Sequence, residues 1–328
     1  MIAIEFLCAR KKRLIAVVLE VYDIFLNFSM EPNLFNYATS ELSQDAFLLW
    51  LLEWGNPENK NYDCNLYEIS KTFILFLIDE SEFFEIESVE CMKQYKNIDV
   101  LALINKKIAV IIEDKIFTNE HGNQIEKYQS IVQRNLGANC IIKSVYLKTG
   151  NECLRSLRIK SQKEKFKIVT RNNLLNVLCS RSCTNVILRD FLDRIKSIEN
   201  ATLAYEREPV LKWSPFAWQG FFLKLENLLC DGEWGWVPHP GKFWGYWWNY
   251  RWLGDCGVKL QIEESKVCIK IEDYNNLVAK RRRAEILNFN RSRIRLIPSR
   301  RISGIHPTIL YMDVKDSYGE GIINLESF

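Results

Sequence analysis

Apolar residues recur at helical spacing from Ser40 to about Trp54, at Leu42, Ala46, Leu49 and Trp50, behind a serine suited to cap the first turn. Gly55-Asn56-Pro57 stops that helix, and a second, strongly apolar helix covers about Leu66 to Ile78. The period then drops towards two. Strands are predicted at Phe84–Cys91, Ile98–Ile104 and Ile108–Ile116, followed by a polar stretch with Gly122 and a helix from about Gln124 to Asn135. A strand at Cys140–Leu147, a short strand at Phe166–Val169 and helices to about Asn200 complete this part. The order reads as an α/β (α+β) domain around a central mixed sheet.

The pattern dissolves between Glu199 and Lys212, around Pro209, and the composition then changes: eight of the ten tryptophans fall between Trp213 and Trp252. A domain boundary is placed there, giving 31–200 and a smaller, Trp-rich, β-containing domain at 205–328. Residues 1–30 form a separate N-terminal extension. Arg10-Lys11-Lys12-Arg13 and the apolar run behind it look faintly like a signal peptide, but Glu20 and Asp23 interrupt the run and no small-residue cleavage site follows. An amphipathic helix is the simpler reading, and Met30 is an alternative start.

With 48% apolar and 26% charged residues, the chain is an ordinary globular protein rather than a disordered one. Its ten cysteines are scattered without a CxxC pair, and only three histidines accompany them. That spacing argues against a zinc cluster or a disulfide framework and for reduced thiols in a cytoplasmic protein. Cys179 and Cys183 are read as core residues sharing one helix face, and His121 as an ordinary loop histidine.

The chemistry is concentrated in one hairpin. A turn centred on Lys106 puts Asp99 directly across from Glu113, where cross-strand Cβ atoms lie roughly 5 Å apart. Lys115, two residues beyond Glu113, returns to the same face. Both strands are apolar enough to be central, and unpaired charges there cost several kcal/mol. A cation resolves the conflict: two carboxylates, the backbone carbonyl of Asp114 and water suit a hard ion such as magnesium, with manganese expected to substitute. Such an ion polarises a phosphoryl oxygen and acidifies a bound water, while Lys115 is placed to orient that water or to neutralise developing charge. The plainer alternative is a salt bridge on a half-exposed hairpin.

Asp99, then Glu113-Asp114-Lys115, resembles the signature of the PD-(D/E)XK nuclease superfamily, with Ile98 standing where the name has proline. The resemblance implies a restriction-endonuclease-like αβββαβ core. It also implies a further glutamate on the first helix, which Glu41 matches, and, in a RecB-like sub-group, Gln-x-x-x-Tyr on the following helix, which Gln124 and Tyr128 match. Gln124 and Tyr128 at i and i+4 share a helix face. Without the resemblance, Glu41 is simply an acid at a helix N-terminus, worth under about 1 kcal/mol. Asp45, one turn on, is a weaker candidate. Leu34 to Trp54 is also similar to a bacterial branch linked to phage defence, an analogy alone.

Charge adds a partner. Net charge is +3, yet Lys280 to Arg301 holds nine basic residues and one acid. Arg281, Arg282 and Arg283, with Arg291, Arg293 and Arg295 on one face of a strand, suit phosphate contacts. The tryptophans, with Tyr246 and Tyr250, suit stacking of unpaired bases, a pocket for a trigger ligand or protein, or plain core, which is assigned to most of them. Trp247 and Trp248 must face opposite ways. The expectation is a soluble magnesium-dependent nuclease acting on DNA or RNA, with no membrane segment. The alternative is a catalytically silent nuclease fold that binds nucleic acid or a partner.

Overall fold

The computed structural model describes residues 32–118, 122–137, 139–238, 242–264, 266–272, 277–289 and 295–314. The N-terminal extension, His121, Arg291 and Arg293 lie outside them.

The first helix, α1 (Glu41–Glu53), starts where Ser40 Oγ accepts the amide of Ser43. The second, α2 (Cys64–Ile78), begins two residues before the apolar run, because Asp63 caps it by accepting the amide of Leu66. Strand β1 is Val89–Lys93, not Phe84–Cys91. The reason is Asn105: its side chain accepts the amides of Glu87 and Ser88 and donates to the carbonyl of Glu85, so that stretch is held as a loop. Strands β2 (Val100–Ile104) and β3 (Ile108–Lys115) form the expected hairpin. Asn105 and Lys106 both take positive φ, 51° and 56°, the backbone that a tight hairpin requires. Val100 pairs with Ile112 and Ile104 with Ile108, the register read from the sequence.

Helix α3 (Gln124–Leu136) crosses to β4 (Ile141–Lys148), which runs parallel to β3. Helix α4 (Leu154–Glu164), not anticipated, precedes β5 (Phe166–Thr170); it buries only Leu157 and so leaves no apolar stripe to read. The sheet order is β1-β2-β3-β4-β5, antiparallel in its first two pairings and parallel in its last two. Even-numbered residues of β2 and β3 (Val100, Ala102, Val110, Ile112) pack with α1 and α2, while Leu101, Ala109 and Ile111 pack with Tyr128 and Val132 of α3. This mixed α/β architecture is the one expected.

Helices α5 (Arg171–Leu178) and α6 (Val186–Thr202) follow. Cys179 and Cys183 do not share a helix: α5 ends at Leu178, Cys179 is exposed and Cys183 half-buried. Helix α7 (Pro215–Leu229) then packs on a second sheet of β6 (Glu233–Val237), β7 (Phe243–Leu253), β8 (Cys256–Glu263), β9 (Lys266–Glu272), β10 (Ile297–Pro298) and β11 (Thr308–Asp313), ordered β10-β11-β9-β8-β7-β6. Arg295 and Leu296 precede β10 rather than continue a strand. Helix α8 (Leu277–Phe289) carries Arg281 to Arg283. Of the eight tryptophans from Trp213 to Trp252, Trp213, Trp218 and Trp234 are buried with Phe222 and Tyr246, Trp244 and Trp248 pack half-buried against them, and Trp236 and Trp252 are exposed.

The two sheets are tied through the start of α4. Glu226 of α7 accepts the amide of Leu154 at 3.3 Å and the indole N–H of Trp234 at 3.1 Å, and Arg155 pairs with Asp231 at 3.1 Å. Among the described residues no helix is long and apolar enough to cross a membrane.

Candidate active site

Strand alternation sends Glu113 and Lys115 to the α3 face of the first sheet and Asp114 to the α1 face. Asp99 stands just before β2, opposite Glu113, and accepts the amide of Asp114 at 3.2 Å. The Lys115 ammonium lies 2.5 Å from Glu113 Oε1 and 3.7 Å from Asp99 Oδ2, and donates to the Asp114 carbonyl at 3.1 Å. One cationic nitrogen thus meets the three oxygen groups that the sequence assigns to a metal. Burial works against the Lys115 charge. The bond and charge of Glu113, with Asp99 and Glu41, outweigh it and raise its pKa above the usual lysine value.

Tyr128 overlooks these acids from α3. Burial, then the charges of Glu113 and Asp99, push its hydroxyl up, while a hydrogen bond with Gln124 opposes the shift. It therefore stays protonated near neutral pH and able to donate.

Glu41 sits at the far end of β3. Its Oε1 accepts the amide of Ile116 at 3.0 Å and the hydroxyl of Thr118 at 2.6 Å. Burial raises its pKa, but those two bonds and the charges of Lys115 and Lys148 prevail and hold it low, so it is an anion. Glu41 does not converge with Asp99 and Glu113: among the described residues no three acidic, histidine or cysteine side chains are gathered as a metal would hold them.

Gln44, Thr149, Arg171 and Lys148, none of them singled out by the sequence, extend the site beyond Asp114 and Asp45. Asp114, which does turn its side chain away as expected, is fully buried under α1, where its Oδ1 accepts from Gln44 Nε2 at 2.6 Å. Asp45 lies against it. Burial pushes the carboxyls of both upward, Asp45 to about 7, with the charge of Asp99 adding to the effect. Gln44 in turn accepts from Thr149, whose carbonyl accepts from Arg171 at 2.6 Å. Arg171 also pairs with Glu199 at 2.7 Å and donates to Asn151 and Thr202. Lys148, beside Lys115 in the parallel register, is buried and donates to the carbonyl of Thr118 at 2.5 Å. Gln44 and Lys148 had a visible signal, a polar residue in an apolar element, but no spacing rule marks either.

Residues 32–177 match the family model of the PD-(D/E)XK nuclease superfamily. This part of the chain resembles a PD-(D/E)XK nuclease. No curated protein and no solved structure matches the chain. The superfamily match supports nuclease-type function, the hydrolysis of phosphodiester bonds, and such nucleases typically use divalent metals. The donor set here suits one: Asp99, Glu113 and the Asp114 carbonyl are hard oxygen donors already drawn around a cation, the Lys115 ammonium.

The basic strip is less open than its charge suggests. Arg281 and Arg282 pair with Asp255 and Glu285, and Arg283 donates to the Ser299 carbonyl. Arg295 is exposed.

Proposed function

We propose that the chain is a magnesium-dependent nuclease that hydrolyses DNA, with residues 31–200 as its catalytic domain and 205–328 as a substrate-binding or sensing module. The observation that carries this reading is the convergence of Asp99, Glu113 and the Asp114 carbonyl on the ammonium of Lys115. Those three groups would hold the ion, with manganese able to replace magnesium, and Glu41 would hold a second or stay a water-mediated neighbour. When bound, the ion supplies Lewis acidity towards a phosphoryl oxygen and an acidified water.

The chain's own groups do the rest. Water attacks phosphorus, the P–O bond to the leaving oxygen breaks, and that oxygen takes up a proton. Lys115 orients the attacking water and offsets charge on the phosphoryl oxygens. Tyr128, held protonated, and Gln124, hydrogen-bonded to it, donate to a non-bridging oxygen and fix the phosphate. The RecB-like reading of these two residues and a role in phage defence rest on the sequence resemblance.

Purified protein incubated with linear, circular and single-stranded substrates, with magnesium, manganese or EDTA, tests the proposal. Cleavage is expected only with metal, and Asp99→Ala or Glu113→Ala should abolish it without unfolding the protein. Wild-type rates in either variant would show that the site lies elsewhere. A folded wild-type protein that binds nucleic acid but never cuts it would favour a silent nuclease fold.

A further inference from the structure

The second sheet has two unlike faces. Trp234, Tyr246, Trp248 and Ile262 pack with α7, and Val258 and Ile271 with α8. The opposite face carries Trp247 paired with Gln261, and Lys259 paired with Lys270. Trp247 and Lys259 belong to none of the core clusters.

A β-bulge shapes this second face. The register of β7 against β8 shifts between Trp248 and Arg251, Asn249 takes φ 55°, and its amide donates to Asp231 Oδ2 at 2.9 Å. The extra residue swings Tyr250 over Gly257, where a Cβ would lie 2.4 Å from the tyrosine hydroxyl oxygen. The hydroxyl donates to Glu272 at 2.7 Å, which fixes the ring. Beside the bulge lies a pocket of about 330 Å³ walled by Trp247, Tyr250, Lys259 and Arg155. Asp231 and Glu233 also line it, committed to Arg155 and Ser156.

Lys259 is the residue without an evident purpose. It is half-buried, has no hydrogen bond or ion pair with the described residues, and stands directly across from Lys270, itself tied to Glu263 at 2.7 Å. Burial, then repulsion from Lys270, depress its pKa against the attraction of Glu272. Burial and the same two lysines depress the pKa of His306. A like-charged pair facing each other on a sheet is unfavourable until an anion joins it.

We propose that this pocket binds an unpaired nucleotide, its base against Trp247 and Tyr250 and its phosphate on Lys259. The volume is at the small end of ligand pockets and suits one nucleotide rather than a duplex, whose base faces are hidden. Aromatic rings accept any base, so the site reads strandedness rather than sequence. The choice of a nucleotide over other anions bearing a flat ring rests on the nuclease reading.

Fluorescence anisotropy of a labelled single-stranded oligonucleotide on the full chain, in EDTA so that no cutting occurs, tests it. Trp247→Ala and Tyr250→Ala should each weaken binding roughly five- to a hundredfold, the range for one lost stacking contact, with Trp247→Phe restoring most of it. Lys259→Gln should lower the slope of log affinity against log salt by about 0.7, one phosphate contact to a single strand. Binding of a duplex of equal length should change far less. Adenosine monophosphate distinguishes the source of the nucleotide: if it raises the melting temperature and displaces the oligonucleotide, a free nucleotide is accepted, and if only the oligonucleotide binds, a strand is required. Unchanged single-strand affinity and salt slope in all three loss variants would overturn the proposal. Because binding is read without metal, that result leaves the cleavage assay, and the nuclease reading, standing or falling separately.

Discussion

Lys115 and Lys148 are register partners on adjacent parallel strands and leave the sheet on the same face, yet their ammonium groups serve different oxygens. Lys115 turns to Glu113, Asp99 and the Asp114 carbonyl, whereas Lys148 donates to the Thr118 carbonyl and pairs with Glu152 at 3.6 Å. Since the Thr118 hydroxyl donates to Glu41, the second lysine secures the segment that secures Glu41.

Lys148→Met should therefore destabilise the fold by about 3 kcal/mol, the usual cost of leaving one partner of a buried ion pair behind. Chemical denaturation measures it. A loss below about 1 kcal/mol would place Lys148 among ordinary surface cations.

Lys115→Ala separates stability from chemistry. In EDTA it should lower the melting temperature, because Glu113, fully buried, loses its 2.5 Å partner. Magnesium should restore much of that loss by taking the vacated position, while single-turnover cleavage stays down a hundredfold or more, roughly 3 kcal/mol of transition-state stabilisation. A melting temperature blind to magnesium would count against the assigned ligands.

Gly150 admits no side chain. A Cβ there would sit 1.9 Å from the carbonyl oxygen of Ile116, the residue whose amide holds Glu41. Gly150→Ala should cost roughly 1–3 kcal/mol by overpacking and depress cleavage as the end of β3 shifts. Gly235→Ala, whose Cβ would meet a tryptophan ring at 3.7 Å, serves as the tolerant control in the same thermal melts.

Thiol labelling checks burial. Burial, and then the charge of Glu53, push the Cys91 thiol up to about 12. At pH 8 the reactive thiolate is then roughly one part in ten thousand, so iodoacetamide should spare Cys91 in the native protein, with reactivity rising as pH climbs towards 12. Exposed Cys64, Cys179 and Cys230 should label first, as peptide mass mapping would report.

The hairpin was legible because both its signals are local: alternation fixes the face, and a two-residue turn fixes the partner. Asp99 and Glu113 followed from counting alone. The buried chain from Asp114 through Gln44 and Thr149 to Arg171 was not legible, since it joins residues 70, 105 and 22 positions apart and no periodicity links them. Helix α4 was missed for the opposite reason, having almost no apolar face to betray it. The basic strip misled in part, because Asp255, which pairs with both Arg281 and Arg282, lies well upstream of the strip in the sequence.

Glu226 finishes the N-terminal end of α4 from 72 residues further along the chain while also anchoring an indole of the second sheet. The family match stops at residue 177, short of Glu199, Thr202, Gln219 and Glu226, whose side chains bond to residues inside it. A chimera that transplants the matched segment onto a foreign partner would inherit the acids of the hairpin and lose those four contacts. Its α4 would fray first, and Arg171 would be left without its carboxylate partner. Grafting would have to carry the far carboxylates along with the near ones.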